Sequence, residues 1–100
     1  MSNEMFVHTH YGYCYYSMTN KPFPIIYNLY VEPKYRRQGK GKHLIMMTIG
    51  EIKRNGYMGK ISIEAKSKDQ SINMKSLIHF YEYMGLEVIN KNEVAEGETL

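Results

Sequence analysis

The stretch that decides the fold is 25–44, IIYNLYVEPKYRRQGKGKHL. Its first seven residues are almost all apolar and predict a β-strand, which Pro33 ends because proline has no backbone donor for the ladder. From about Gly41 to Asn55 the apolar residues recur at helical spacing, as Ile45, Ile49 and Ile52. A strand therefore leads through a basic, glycine-containing turn into a helix.

The turn has the composition of an anion site. The first N–H groups of a helix have no partner inside the helix and lie at the positive end of its dipole, so they attract phosphate. Glycine allows a ligand to approach the backbone closely, and the arginine and lysine side chains add charge. The turn fits R-x-x-G-x-G with Arg36, Gly39 and Gly41, whereas the dinucleotide fingerprint fails at Leu44. A pyrophosphate site is one interpretation, and an ordinary solvated loop is the other.

The flanking sequence predicts the remaining elements. Residues 5–18 favour strand, with Gly12 as a bulge or a break, and a turn at 19–24 makes a hairpin with strand 25–31. Residues 60–65 and 86–89 also read as strands. A second helix carries an apolar stripe, with Ser71 as its predicted cap and Gly85 at its end. The stripe consists of Met74, Leu77, Tyr81 and Met84.

Strands and helices alternate in the second half, which predicts an α/β (α+β) fold with helices packed on a mixed sheet. The length of 100 residues, 43% of them hydrophobic, predicts a single domain over 1–100. The net charge of +3 is too small to indicate nucleic acid, although 34–42 is strongly basic and the C-terminal end is acidic, with Glu93, Glu96 and Glu98.

Cys14 is the only cysteine, which excludes an intrachain disulfide and a zinc site built on several thiolates. His8 and His10 share a strand face but lack a third ligand, so we expect no metal. The N-terminus lacks a secretory pattern, and no apolar run approaches the ~20 residues of a membrane span. We expect a cytoplasmic protein without a membrane partner.

Three segments in order resemble the GNAT family of N-acetyltransferases: LYVEPKYRRQGKGKHLI at 29–45, IEAK at 63–66 and FYEYMGLEV at 80–88. The similarity spans about residues 11–90. It implies a mixed, mainly antiparallel sheet flanked by helices, acetyl-CoA as the acetyl donor, and transfer to a primary amine by direct attack.

The resemblance also implies residue roles. The general acid that protonates the leaving thiolate would be Tyr81, and strand 25–31 would diverge from its neighbour. Leu29, Tyr30 and Val31 would then hold the pantetheine arm and the acetyl carbonyl. The pyrophosphate would be bound at the turn by Arg36, Arg37, Gln38, Gly39, Lys40, Gly41 and Lys42.

The sequence departs from the family pattern in three places. The usual glutamate base is replaced by Tyr27 or Asn28, which leaves a water-assisted reaction or one of five weak candidates: Glu32, Glu64, His8, His10 and His79. The usual asparagine of the second helix falls at Met74, beside Asn73. The N-terminal part is minimal, so either the acceptor cleft is open, which suits a protein lysine, or the second subunit of a homodimer closes it. A narrower similarity, carried by YGYCYYS at 11–17 and KSKDQSINMKSLIHFYE at 66–82, is to a compact phage-encoded acetyltransferase that acts as an anti-CRISPR protein by modifying a lysine.

Two other interpretations stay open. A CoA-binding docking protein with weak or no catalysis would explain the missing base. A small nucleic-acid-binding module would use the basic turn with the tyrosine-rich strands, because aromatic faces stack bases. Cys14 is either a nucleophile that carries the acetyl group or an inert buried thiol.

Overall fold

A computed structural model of the chain describes residues 4–19, 24–66 and 73–91. The elements follow the predicted order of three strands, helix, strand, helix and strand. They are β1 (Glu4–Thr9), β2 (Gly12–Ser17), β3 (Ile25–Val31), α1 (Lys40–Arg54), β4 (Ser62–Ile63), α2 (Met74–Tyr83) and β5 (Glu87–Val88), with a 3-10 turn at Pro33–Tyr35 before α1.

The strands form one sheet in the order β1-β2-β3-β4-β5. The antiparallel ladders β1–β2 and β2–β3 are long, whereas the parallel ladders β3–β4 and β4–β5 have two residue pairs each. The predicted mixed, mainly antiparallel sheet is confirmed. The antiparallel pairing of β2 with β3 is also confirmed, whereas residues 20–23 of the predicted turn at 19–24 lie outside the described residues.

Gly12 marks a break between two strands, one of the two predicted alternatives. β1 turns into β2 through His10 and Tyr11, and the Thr9 hydroxyl accepts the Gly12 N–H at 3.1 Å. β3 passes so close that a Cβ at Gly12 would overlap the Tyr30 carbonyl oxygen. Glycine is needed there because the β2–β3 ladder leaves no room for a side chain.

Both helices pack on the same face of the sheet. The buried residues of α1 (Leu44, Ile45, Ile52) and of α2 (Ile78, Tyr81) belong to one core cluster with strand residues such as Cys14 and Ile26. Crossovers between parallel strands are almost always right-handed. Because β3, β4 and β5 follow one another across the sheet, both crossover helices fall on one side. The other face of β1–β3 has no described helix over it.

The helix ends are close to the predictions. α1 begins one residue before Gly41, and Gly56 and Gly85 follow the two helices with φ of 94° and 86°, as expected for left-handed C-terminal glycines. The N-cap of α2 is Asn73, whose Oδ1 accepts the Ser76 N–H at 3.2 Å. The predicted cap Ser71 and the acidic C-terminal stretch lie outside the described residues.

The strand predicted at 60–65 is shorter, since only Ser62 and Ile63 pair with β3. Its alternating residues Ile61, Ile63 and Ala65 are nevertheless buried, as expected. No helix in the described parts of the chain has the length and hydrophobicity to cross a bilayer.

Candidate active site

The start of α1 offers unpaired backbone donors. Gly39 is the N-cap, with φ of 76°, and it provides no side-chain cap. The first backbone bond of the helix runs from the His43 N–H to the Gly39 carbonyl at 3.1 Å. The amides of residues 40, 41 and 42 therefore have no partner inside the helix. Arg37 is also left-handed, with φ of 63°, and alternation of this kind turns successive N–H groups into one concave, anion-binding surface.

Gly41 keeps this surface accessible. A Cβ at Gly41 would meet only the Val31 side chain, at an ordinary 3.9 Å. Glycine costs about 1 kcal/mol relative to alanine inside a helix, so packing alone gives no reason for it. A ligand that approaches the backbone does give a reason.

The polar and basic side chains of the turn have different partners. Arg36 Nε donates to the Val31 carbonyl at 2.9 Å, and its guanidinium lies 5.7 Å from the Tyr30 ring centroid. The Arg36 side chain therefore packs along the end of β3. Gln38 Nε2 donates back to the Lys34 carbonyl at 3.1 Å. The first turn of α1 contains lysines and no acidic side chain, which leaves it electropositive.

β3 diverges from β4 next to this turn. Among the described residues their ladder consists of the pairs Ile25–Ser62 and Ile26–Ile63. Its last hydrogen bond runs from the Glu64 N–H to the Ile26 carbonyl at 3.2 Å. The predicted divergence of strand 25–31 is therefore present. Glu64 lies where the two strands part.

Beyond this point, the backbone N–H and carbonyl groups of β3 face β2 and the gap beside β4 in alternation. The Glu32 N–H donates to the Tyr11 carbonyl at 2.8 Å, so residue 32 faces β2. Because backbone groups alternate along a strand, those of Leu29 and Val31 face the opposite side, toward the gap. Those of Tyr30 face β2.

Tyr81 lies under the sheet with 4% of its surface exposed. Burial, with a smaller contribution from the nearby Cys14, raises the pKa of Tyr81 to about 12. Cys14 is directly opposite Leu29 in the β2–β3 register. Tyr81 and Cys14 belong to one core cluster, against which Leu29 packs. A phenol in this environment is neutral at physiological pH.

The predicted base candidates are scattered. His8 is exposed on the sheet face opposite the helices, His10 packs against the Tyr35 ring at 5.5 Å, and His79 is exposed on α2. Glu64 is half-buried and its Oε2 lies 3.2 Å from Lys66 Nζ. The described parts of the chain contain no group of three or more side chains that could hold a metal ion. Asn73 uses its amide oxygen to cap α2.

The Cys14 environment favours an inert thiol. Cys14 is fully buried, and burial raises its pKa to about 11 despite a hydrogen bond with Thr48. The thiolate is the nucleophilic form, so it is scarce at neutral pH. We expect iodoacetamide to modify native Cys14 at least ~100-fold more slowly than the urea-unfolded chain, as followed by mass spectrometry. Equal rates would contradict this assignment.

Tyr11 is a buried residue whose role the sequence did not reveal. Its hydroxyl forms a hydrogen bond with His43 Nδ1 on the first turn of α1, and its carbonyl accepts the Glu32 N–H. Lys40 Nζ lies 5.0 Å from its ring centroid. Tyr11 therefore connects the β1–β2 turn, the end of β3 and the start of α1. Period-two alternation in the sequence predicts Tyr11 on one strand face with Tyr13 and Tyr15; this is wrong, because Tyr11 lies buried in the turn between β1 and β2.

We expect Tyr11→Phe to weaken CoA binding about 3- to 10-fold, because the start of α1 loses its connection to the sheet. Free energy of unfolding should fall by about 1 kcal/mol for the lost hydrogen bond. Titration calorimetry and urea unfolding measure the two effects. Tyr13→Phe, on the opposite sheet face, is the matched control, and an unchanged affinity in Tyr11→Phe would contradict the positioning role.

An electropositive helix start beside a diverging strand edge suits a long ligand with phosphates at one end and an amide-rich arm. These features are the ones expected of a CoA-dependent acyltransferase. The family model described as acetyltransferase (GNAT) domain matches residues 2–88, and the chain belongs to this family, whose members use acetyl-CoA as donor. Searches of curated proteins and of solved structures found no match to the chain.

Proposed function

We propose that the chain is a single-domain, acetyl-CoA-dependent N-acetyltransferase over residues 1–100, acting on a primary amine. The observation that carries this proposal is the set of open amides at the start of α1, next to the strand segment that diverges from β4. Family membership supports acetyl transfer in general. We further propose a protein lysine as the acceptor in preference to a small amine.

The residues fit acetyl-CoA at two points. The amides from Arg37 to Lys42 bind the pyrophosphate, with charge from the neighbouring lysines. The Leu29 and Val31 backbone groups bind the pantetheine arm and orient the acetyl carbonyl, since they face the gap. The Val31 carbonyl is already occupied by Arg36, so Val31 contributes its N–H.

Tyr81 stabilises the leaving group. When the amine attacks the acetyl carbon, the carbon–sulfur bond breaks and negative charge develops on sulfur. An alkyl thiol has a pKa of about 8.5. Complete proton transfer to the thiolate from a phenol of pKa about 12 is therefore unfavourable by about 3.5 pKa units. Tyr81 therefore acts mainly as a hydrogen-bond donor to the sulfur. The amine loses its proton to water or to Glu64, the carboxylate at the point of divergence.

The form of the sheet supports a large acceptor. Small amines are normally bound in concave pockets that enclose most of the ligand. The face of β1–β3 opposite the helices is open in the described part of the chain, so it admits a lysine carried on a protein surface.

Two experiments test the proposal. Titration calorimetry with acetyl-CoA tests the cofactor site, and no binding would refute the enzyme function. Release of CoA thiol is then measured with lysine-containing peptides and proteins against small amines such as spermidine. Binding without release on any acceptor would favour the docking protein, for which the absence of glutamate at Tyr27 and Asn28 is the supporting observation.

A further inference from the structure

The side chain of Asn90 joins the end of β5 to the end of β4. The Ile89 N–H donates to the Ile63 carbonyl at 3.0 Å, as one strand does to its neighbour. One residue further, Asn90 Oδ1 accepts the Ala65 N–H at 2.8 Å, and Asn90 Nδ2 donates to the Ala65 carbonyl, also at 2.8 Å. A single half-buried side chain thus pairs with both backbone groups of Ala65.

The Asn90 carboxamide takes the place of a backbone partner. A primary amide has a carbonyl acceptor and N–H donors, so it pairs with a residue as a neighbouring strand would. Ala65 is only 2% exposed, and its buried backbone groups would lose these partners in a variant without the amide. Asn90 therefore keeps Ala65 in line with β4, one residue beyond the point where β3 diverges.

The opposite edge of the same segment faces the gap between β3 and β4. The Glu64 N–H points toward β3, because it donates to the Ile26 carbonyl, whereas the backbone groups of Ala65 point toward Asn90. Since backbone groups alternate along an extended chain, the Glu64 carbonyl and the Lys66 N–H face the gap. The gap therefore has two backbone edges, the diverging part of β3 on one side and this segment after β4 on the other.

We propose that Asn90 is a positioning residue for the pantetheine arm of CoA, an inference that rests on the proposed function. The arm is rich in amides, and an extended amide chain presents N–H and carbonyl groups to both of its sides. The diverging part of β3 pairs with the groups on one side. The Glu64 carbonyl and the Lys66 N–H pair with those on the other. Asn90 fixes the width of the gap, because it holds Ala65 from the side of β5.

Binding of CoA and of ADP to the isotope-labelled chain tests the proposal, with the NMR shifts of amides 40–42 as the signal. ADP keeps the adenosine and the pyrophosphate of CoA and lacks the arm, so it reports on the start of α1 alone. In Asn90→Ala the Kd for CoA should rise about 10-fold, as expected for about one hydrogen bond, while the Kd for ADP changes less than about 2-fold. Neither Kd requires turnover, so a CoA-binding protein without catalysis would give the same result.

Lys91→Ala is the matched control. Lys91 is the next residue, and its Nζ lies 3.0 Å from Glu82 Oε2 on α2. This variant loses a contact of the same segment that does not involve Ala65, so both Kd values should stay within about 2-fold of wild type.

Two results in Asn90→Ala would overturn the positioning role and leave the proposed function intact. One is an unchanged Kd for CoA. The other is an equal loss of affinity for CoA and ADP, which a general loosening of the fold would produce. Wild type that binds neither ligand would instead refute the proposed function, and this inference with it. Asn90→Gln keeps a carboxamide but displaces it by one methylene group. It replaces Asn90→Ala, with the same expected difference between the ligands, if circular dichroism shows that the alanine variant has not folded.

Discussion

Gly41→Asp is expected to weaken acetyl-CoA binding at least ~100-fold, or about 2.7 kcal/mol. The aspartate carboxylate would lie beside the amides that bind the pyrophosphate, where like charges repel and the open space is filled. The apo protein should be as stable as wild type or more so, since acidic residues in the first turn of a helix favour its dipole and glycine is a poor helix former. Titration calorimetry and thermal unfolding measure the two quantities.

Two variants make this result specific. Gly50→Asp introduces the same side chain in the middle of α1, where its Cβ would meet only the flexible end of Arg54, so binding should stay within about 2-fold. Gly41→Ala adds one methyl group, which should stabilise the fold by up to ~1 kcal/mol and still weaken binding. If Gly41→Asp binds acetyl-CoA as tightly as wild type, the pyrophosphate does not bind at this turn.

Tyr81→Phe is expected to lower kcat about 10²-fold while the Kd for acetyl-CoA changes less than 2-fold. General acid groups contribute about 10² to 10⁴ in rate, and a phenol that only donates a hydrogen bond belongs at the lower end. Phenylalanine keeps the ring packing of this buried position. The measurement is CoA thiol release at saturating acetyl-CoA with an acceptor found by the screen.

Tyr83→Phe is the matched control, because Tyr83 is two residues away on the same helix and 80% exposed. It should retain wild-type turnover. Wild-type turnover in Tyr81→Phe would instead remove Tyr81 from the reaction and leave protonation of the thiolate to water.

The pH profile of the rate is a second test of the role of Tyr81. Burial favours the neutral phenol, so its pKa of about 12 keeps Tyr81 protonated throughout the neutral range. The rate should therefore rise with pH as the acceptor amine loses its proton, without a descending limb below about pH 10 from Tyr81. A descending limb near pH 8 that disappears in Tyr81→Phe would contradict the raised pKa.

Much of the fold was predictable because local patterns agreed with the tertiary packing. The helical spacing of Ile45, Ile49 and Ile52 and the glycines after both helices determined α1 and the helix ends. A strand was predicted at 60–65, but its length of two residues was not. Residues 60–65 alternate and are buried as in a strand, but pairing ends after two residues because β3 turns away.

The candidate site was also predictable only in part. The basic glycine turn was visible in the sequence because the role proposed for it depends on backbone amides at a helix start, which is a local feature. Tyr81 was assigned through family resemblance, since its stripe position alone indicates only a core residue. Tyr11 and His43 meet across 32 positions of sequence, and such a contact has no local signature.

The sequence by itself determined the order of the elements and the family, and it predicts an anion site at residues 36–42, since each depends on residues that are adjacent along the chain. Only the tertiary structure decided that both helices cover one face of the sheet, that Tyr13, Tyr15 and Tyr30 stack together, and that burial raises the pKa of Tyr81 and of Cys14. The physical reason is that burial, strand divergence and the sidedness of a sheet arise from contacts between residues far apart in sequence.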